Sequence, residues 1–183
     1  KMDDINSAEA IKRLKTVSEK DNERVQAKLK VLEAVIIIQH HAQKPFEYYL
    51  HLMDEALRTA LTLQDDILTA DICYWLAEMY WLPGKSAQAM FYIVKAIEMQ
   101  EKLGPEKFPK NSLAYKIGAD VLYNTGNYRQ SVDFGNKAAT FQLQIPAGHI
   151  CGNYNTIALC YKELEQYDSA LLVYNKALQL AHK

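Results

Sequence analysis

The sequence predicts an all-α protein, a right-handed α-α superhelix of about nine helices, and three observations carry that prediction. First, a pattern recurs along the chain: the late alanines Ala96, Ala138 and Ala177 follow one another at almost constant spacing, and Ala56 stands one further interval before Ala96, with Met53 where Ile93 falls. Second, the apolar period inside each unit is that of a helix. Tyr154, Ile157, Ala158 and Tyr161 fall at i, i+3, i+4 and i+7, and Ala170, Tyr174, Ala177 and Ala181 repeat the stripe after a break. Third, the breaks carry turn chemistry at Gln43-Lys44-Pro45, Pro83-Gly84-Lys85 and Thr125-Gly126-Asn127, where glycine can take the left-handed conformation that ends a helix. Each unit is therefore expected to be a helical hairpin.

Taken in order, residues 3 to about 20 read as an amphipathic capping helix, with Ile5, Ala8, Ile11, Leu14 and Val17 on its apolar side. A repeat array needs such an end, because each unit buries its faces only against neighbours. The expected organisation is one domain: residues 1–29 for the cap and the start of the first hairpin, then four hairpins at about 30–69, 70–111, 112–150 and 151–183. Small residues (Ala77, Ala119 and Ala158 on first helices, Ala89 and Ala170 on second helices) let helix axes approach closely. In the first unit Ile37 stands where the small residue belongs and Tyr49 where alanine is expected; the third departs at Gly118, Ser131 and Gly135. The last helix, from Ala170 to Ala181, has too wide an apolar arc for one packed face, so something should cover it.

Composition bounds the function classes. Of 183 residues 49% are hydrophobic and 23% charged, with 7 Gly and 5 Pro, which suits a folded domain with a core. Twenty-one Lys and Arg against 22 Asp and Glu leave a net charge of −1, so no global field draws the chain to nucleic acid or an anionic membrane. No stretch approaches the roughly 20 apolar residues of a membrane span, and the polar start has no signal-peptide pattern. The chain opens on Lys1, which reads as part of a longer protein. Three cysteines without a CxxC pair read as buried thiols, not a disulfide framework or zinc site.

The order aromatic, Leu with a small residue, Tyr, polar or glycine turn, then Ala, aromatic or aliphatic, and Ala resembles the tetratricopeptide repeat (TPR), best matched from Tyr154 through Ala177. The resemblance covers about residues 30–183. Its units are longer than the common repeat of about 34 residues. Such extended units are similar to those of kinesin-light-chain-like repeats, of peptide-sensing bacterial regulators and of arrays that precede bacterial sensor kinases. The resemblance implies a stack that binds a protein or peptide partner, cytoplasmic or, in a bacterial sensor, periplasmic.

In a right-handed stack of hairpins the first helices line the concave face. The repeat alignment places His41, Tyr74, Glu78, Trp81, Lys116, Asp120, Tyr123, Asn124, Asn155 and Lys162 on it, a mixture of aromatic, charged and amide groups suited to a peptide. Lys116 is followed one turn on by Asp120 rather than Asn, which argues against a site for chaperone C-termini. No phosphate loop, HExxH or GxSxG motif is present. His40, His41 and His51 lack suitably spaced carboxylates or thiols, so neither a metal nor a cofactor is expected. The His149/Cys151 pair reads as structural, and Asp65-Asp66 and Lys110-Asn111-Ser112 as helix starts. The expected role is a protein- or peptide-binding module acting as the docking or sensing region of a larger protein such as a bacterial signalling protein. The alternative is a scaffold that homo-oligomerises through its apolar C-terminal helix. An enzyme is not expected, because no convergent acid, base and nucleophile set appears.

Overall fold

The computed structural model describes residues 23–39, 45–104, 106–107, 111–141 and 147–181. Eight helices are present among them: α1 (Glu23–Gln39), α2 (Phe46–Thr62), α3 (Asp66–Trp81), α4 (Ser86–Leu103), α5 (Asn111–Asn124), α6 (Tyr128–Thr140), α7 (Ala147–Glu163) and α8 (Tyr167–Ala181). No strand occurs among the described residues. The expected capping helix at residues 3–20 lies outside them. The chain divides into two compact units, residues 1–76 and 77–183.

In the first unit α1 packs on α2. The buried residues of α1 are Ala27, Val31, Ala34 and Val35, at the helical spacing i, i+4, i+7 and i+8, with Leu29 beside them, and those of α2 are Tyr49, Met53, Ala56 and Ala60. Tyr49, out of pattern in the sequence, is buried, and its neighbour Tyr48 ties the two helices by donating to Glu33 at 3.0 Å. Lys30 and Glu55 add an ion pair at 3.0 Å. Pro45, extended at φ −64°, starts α2 because its fixed φ suits a helix entry. Asp65 starts α3: its Oδ1 accepts from the Leu68 N–H at 3.0 Å, and its other oxygen is held by Arg24. Burial alone would raise this carboxyl, yet the Leu68 N–H and the Arg24 guanidinium outweigh it and hold Asp65 below its usual range.

The second unit contains the end of α3 and helices α4 to α8. α4 packs on α5, α5 on α6, α6 on α7, and α7 on α8, while α5 and α7 also touch. Three turns share one pattern. At Gly84, Gly126 and Glu165 the residue sits at φ +78°, +77° and +59°, and the next N–H reaches back across the turn, Lys85 to the Tyr80 carbonyl, Asn127 to Leu122 and Gln166 to Tyr161. The pattern satisfies carbonyls that the helix end leaves orphaned. Two of these turns are the glycine turns the sequence predicts; the third places a glutamate in the left-handed region.

The core repeats along the unit. Ala96 and Ala138 are fully buried, as is Ile93. Tyr115 and Tyr154, at equivalent places of successive units, are buried on α5 and α7, and each is covered by the lysine that precedes a late alanine: Lys137 lies 5.3 Å and Lys176 4.6 Å from the ring centroid. Tyr115 also donates to Glu101 and stacks on Phe141, so one phenol joins α4, α5 and the end of α6. Burial, then the Glu101 carboxylate, push its ionisation far above the ordinary phenol range.

Candidate functional site

The first helices α5 and α7 lie side by side, and their facing residues form the polar cluster of the second unit. On α5 the residues Lys116, Asp120, Tyr123 and Asn124 fall at i, i+4, i+7 and i+8, one stripe of a helix. Lys116 Nζ donates to Asp120 Oδ2 at 2.6 Å. Thr156 on α7 donates its hydroxyl to Asp120 Oδ1 at 2.7 Å, across 36 residues of sequence. Both carboxylate oxygens are thus engaged. The two charged side chains are only 19% and 12% exposed, so each would be costly to leave alone; together, with the threonine as third partner, they are satisfied.

The lysine stem also packs against α7. A Cβ on Gly152 would sit 3.6 Å from Lys116 Cε, so the lysine stem lies along the start of α7. Below the cluster a second set of bonds ties the helices. Ser131 donates to the Ala119 carbonyl at 2.7 Å, Cys160 Sγ lies 3.1 Å from Ser131 Oγ, and Asn153 Nδ2 donates to the Gly135 carbonyl at 2.8 Å, all buried. Burial pushes the Cys160 thiol up, so it is a weak nucleophile.

Around the cluster runs an exposed rim. Tyr123 is half-buried, its ring 5.7 Å from that of Tyr128. Desolvation raises its phenol ionisation, helped by the Glu163 charge and opposed by Lys162. Lys162 is exposed, 3.6 Å from Glu163 Oε1, and Asn124 and Asn155 are exposed. Glu78 and Trp81, at the end of α3, are half-buried. Of the other expected groove residues, Tyr74 belongs to the first unit, where it is buried with its ring edge-on to Trp75, and His41 lies outside the described residues.

The structure therefore brings Lys116 and Asp120 together with a residue the sequence reading passed over, Thr156, and leaves its neighbour Asn155 on the surface. Ser131 carried a signal: it breaks an alanine position of the repeat, as a polar group with a helix-crossing bond would. Thr156 carried none, since a threonine beside a buried stripe is ordinary.

The remaining candidates are accounted for by structure. Cys73 and Cys160 are buried, and Cys151 is half-buried with its thiol 3.6 Å from the Ala177 carbonyl. His51 is exposed on α2, 3.7 Å from Glu55, and His40 and the His149 side chain lie outside the described residues. α5 starts at Asn111, as expected of the Lys110-Asn111-Ser112 stretch, and the Ser112 hydroxyl is fully buried with no hydrogen-bond partner among the described residues. Among the described residues no three His, Cys, Asp or Glu side chains converge on a metal position. No helix among them is long and apolar enough to cross a membrane.

Comparison with known proteins bears on the fold. Residues 70–103 and 152–182 match the tetratricopeptide repeat family. A search of curated protein sequences finds no significant relative. Among solved structures, BtubC (BKLC) from P. vanneervenii superposes with a TM-score of 0.80 at 15% identity, over 96% of this chain and 70% of that one. The TPR-like repeats attributed to a kinesin light chain of P. anserina superpose with a TM-score of 0.70 at 12% identity, over 95% and 86%. Aspartyl phosphate phosphatase F from Bacillus subtilis gives 0.67 at 15% identity, over 86% of this chain and 41% of that one, so the chain spans less than half of it. At such identities the likeness shows the fold alone. Two stretches of the chain thus match the tetratricopeptide repeat family, and its architecture is that of TPR-like solenoids.

Proposed function

We propose that the second unit is a protein- or peptide-binding module, and that its ligand lies along α5 and α7 over Lys116, Tyr123, Asn124, Asn155 and Lys162, with Trp81 at one end. The observation that carries this reading is the division of labour on that face. Asp120 is consumed by Lys116 and Thr156, while Asn124, Asn155 and Lys162 project to solvent beside a half-buried tyrosine. Exposed amides and an aromatic edge over a rigid, internally neutralised floor suit an uncharged or mixed-charge chain segment. A ligand that depended on a dense anionic tail would find its nearest lysine already paired. In the wider protein such a module acts as the docking or sensing region of a larger regulator, as in bacterial signalling proteins.

The test starts from a random 12-residue peptide library panned on the intact chain, followed by calorimetry on the enriched peptides. The triple variant Asn124→Ala/Asn155→Ala/Lys162→Ala changes exposed residues only, so its melting temperature should stay within a degree or two. Its affinity for the enriched peptides should fall at least tenfold, about 1.4 kcal/mol. Equal affinity for both chains would sink the reading.

A second reading is favoured by a separate observation. Tyr167, Leu171, Leu172 and Leu178 on α8 are exposed, which suits a scaffold that homo-oligomerises through this helix. Light scattering between 1 and 500 μM decides it: a mass of 20.9 kDa throughout, that of the single chain, would exclude it.

A further inference from the structure

The second helices of successive units meet the next first helix at one repeated place, and residue size is traded across it. At the α4/α5 crossing the large residue is on the second helix: a Cβ added to Gly118 would lie 3.2 Å from Ile93 Cγ2, while on its other side Phe134 of α6 stands at 2.6 Å. At the α6/α7 crossing the sizes are reversed. One repeat further along the chain, Gly135 takes the place of Ile93 and Ile157 that of Gly118, and a Cβ on Gly135 would lie 2.5 Å from Ile157 Cγ1. Large faces glycine both times, with the roles exchanged.

The same place on α8 is Tyr174, one repeat after Gly135. It lies between Leu171 and Leu178, the counterparts of Val132 and Ala139, which are packed against the cluster that α7 builds with Tyr154, Ile157 and Cys160. Leu171 is 62% and Leu178 57% exposed. The stripe on α8 thus continues an established interface in register but has no helix on it among the described residues. We propose that this stripe docks a first-type helix of a separate repeat-bearing chain, and that the helix carries glycine or alanine where it meets Tyr174. A large residue there would repeat on both sides the bulk that each existing crossing places on one side only. A second copy of this chain offers no free helix of that kind: its glycine-bearing helix α5 is already packed by Phe134 and Ile93, α7 carries Ile157, and α3 and α1 have Leu76 and Ile36 at the corresponding places of the sequence repeat. The proposal is independent of the α5/α7 face, since it uses α8 alone.

The probe is a capped peptide of residues 111–124, the helix with glycine at the required place, titrated into the isotope-labelled intact chain and followed by NMR. Its Gly118→Ile form serves as the contrast. The proposal expects shifts centred on Leu171, Tyr174 and Leu178 with the glycine peptide, binding at least tenfold weaker for the isoleucine peptide, and recovery of the isoleucine peptide's affinity on a Tyr174→Gly chain. Leu171→Gln/Leu178→Gln, which alters exposed positions only, should abolish binding of the glycine peptide and gives a second readout if Tyr174→Gly folds badly. Equal binding of the two peptides overturns the proposal, as do shifts centred elsewhere or no shifts with either peptide at millimolar concentration. So does concentration-dependent broadening of the α8 signals without peptide, which would assign the stripe to a second copy.

Discussion

Helices α6 and α8 occupy the same place in consecutive units and end in different surroundings. Val132 on α6 is 7% exposed and its counterpart on α8, Leu171, is 62% exposed; Ala138 is fully buried, whereas Ala177 is half-buried. Leu171 is the more apolar of the first pair, so side-chain character does not set the outcome. What differs is the next helix: α7 lies on α6, and no described helix lies on the outer stripe of α8. In a repeat protein, burial belongs to the interface, and each unit inherits it from its neighbour. The same residue pattern is core in one unit and a candidate docking surface in the next.

The contrast can be broken most sharply at the glycine that α7 approaches. Gly135→Ala must displace Ile157 and should cost about 1–3 kcal/mol through overpacking, and Ala158→Leu on α7 should cost a similar amount. On α8, Tyr174→Ala and Leu171→Ala should each change stability by less than about 1 kcal/mol, because no described helix lies on that stripe. Urea unfolding of the four variants reads the comparison; equal losses at Gly135 and Tyr174 would mean that α8 is covered.

Next in size is the polar cluster between α5 and α7. Asp120→Ala leaves Lys116 and Thr156 without their shared acceptor in a poorly hydrated place, and a loss of about 1–3 kcal/mol is expected. Adding Thr156→Val should cost little more, since its partner is already gone. A double-mutant cycle that comes out additive would show the bond at 2.7 Å to be energetically idle.

The first unit supplies a pH contrast. Asp65 is held below its usual range in the folded state, so its contribution is present above the unfolded carboxyl pKa and is lost as pH falls through the folded one. Asp65→Ala should remove about 1 kcal/mol at neutral pH and flatten the acid limb of the stability curve. Melting curves from pH 7 to pH 3 check it; an unchanged acid limb would contradict the capping role.

The smallest effect is a gain. Glu165 occupies the turn place that Gly84 and Gly126 hold, with φ at +59°, where a side chain is strained. Glu165→Gly should stabilise by roughly 0.5 kcal/mol, the relief of strain being partly offset by greater freedom in the unfolded chain. Thermal melts of the two chains side by side check it; a lower melting temperature for the glycine variant would contradict the strain.

Much of the fold could be read from period and spacing. Ala56, Ala96 and Ala138 mark fully buried positions, Tyr154, Ile157 and Ala158 form a buried stripe, and the glycine turns fall at Gly84 and Gly126. These features are local: they depend on residues within one turn or one hairpin, where helical geometry fixes who meets whom. The polar cluster was half legible. Lys116 and Asp120 lie one helical turn apart, so their pairing follows from the helix, but the partner that completes it comes from 36 residues away and depends on how α5 and α7 cross. The same holds for Asn153 and Gly135, joined across 18 residues, and for the exchange of bulk between Ile93/Gly118 and Gly135/Ile157. Glycine in a helix reads as a weakness in one dimension; its use is apparent only once the opposing side chain is known. Tyr74 shows the converse, for an aromatic at a groove position of the alignment is buried in the first unit.

The claim on which the function rests is that the α5/α7 face, and not the outer stripe of α8, takes the peptide ligand. Chemical-shift mapping of a library-selected 12-residue peptide on the isotope-labelled chain tests it most directly. The largest perturbations should fall on Lys116, Tyr123, Asn124, Asn155 and Lys162, with Thr156 moving through its bond to Asp120. Perturbations centred on Leu171, Leu172 and Leu178, with the α5/α7 amides unmoved, would contradict it.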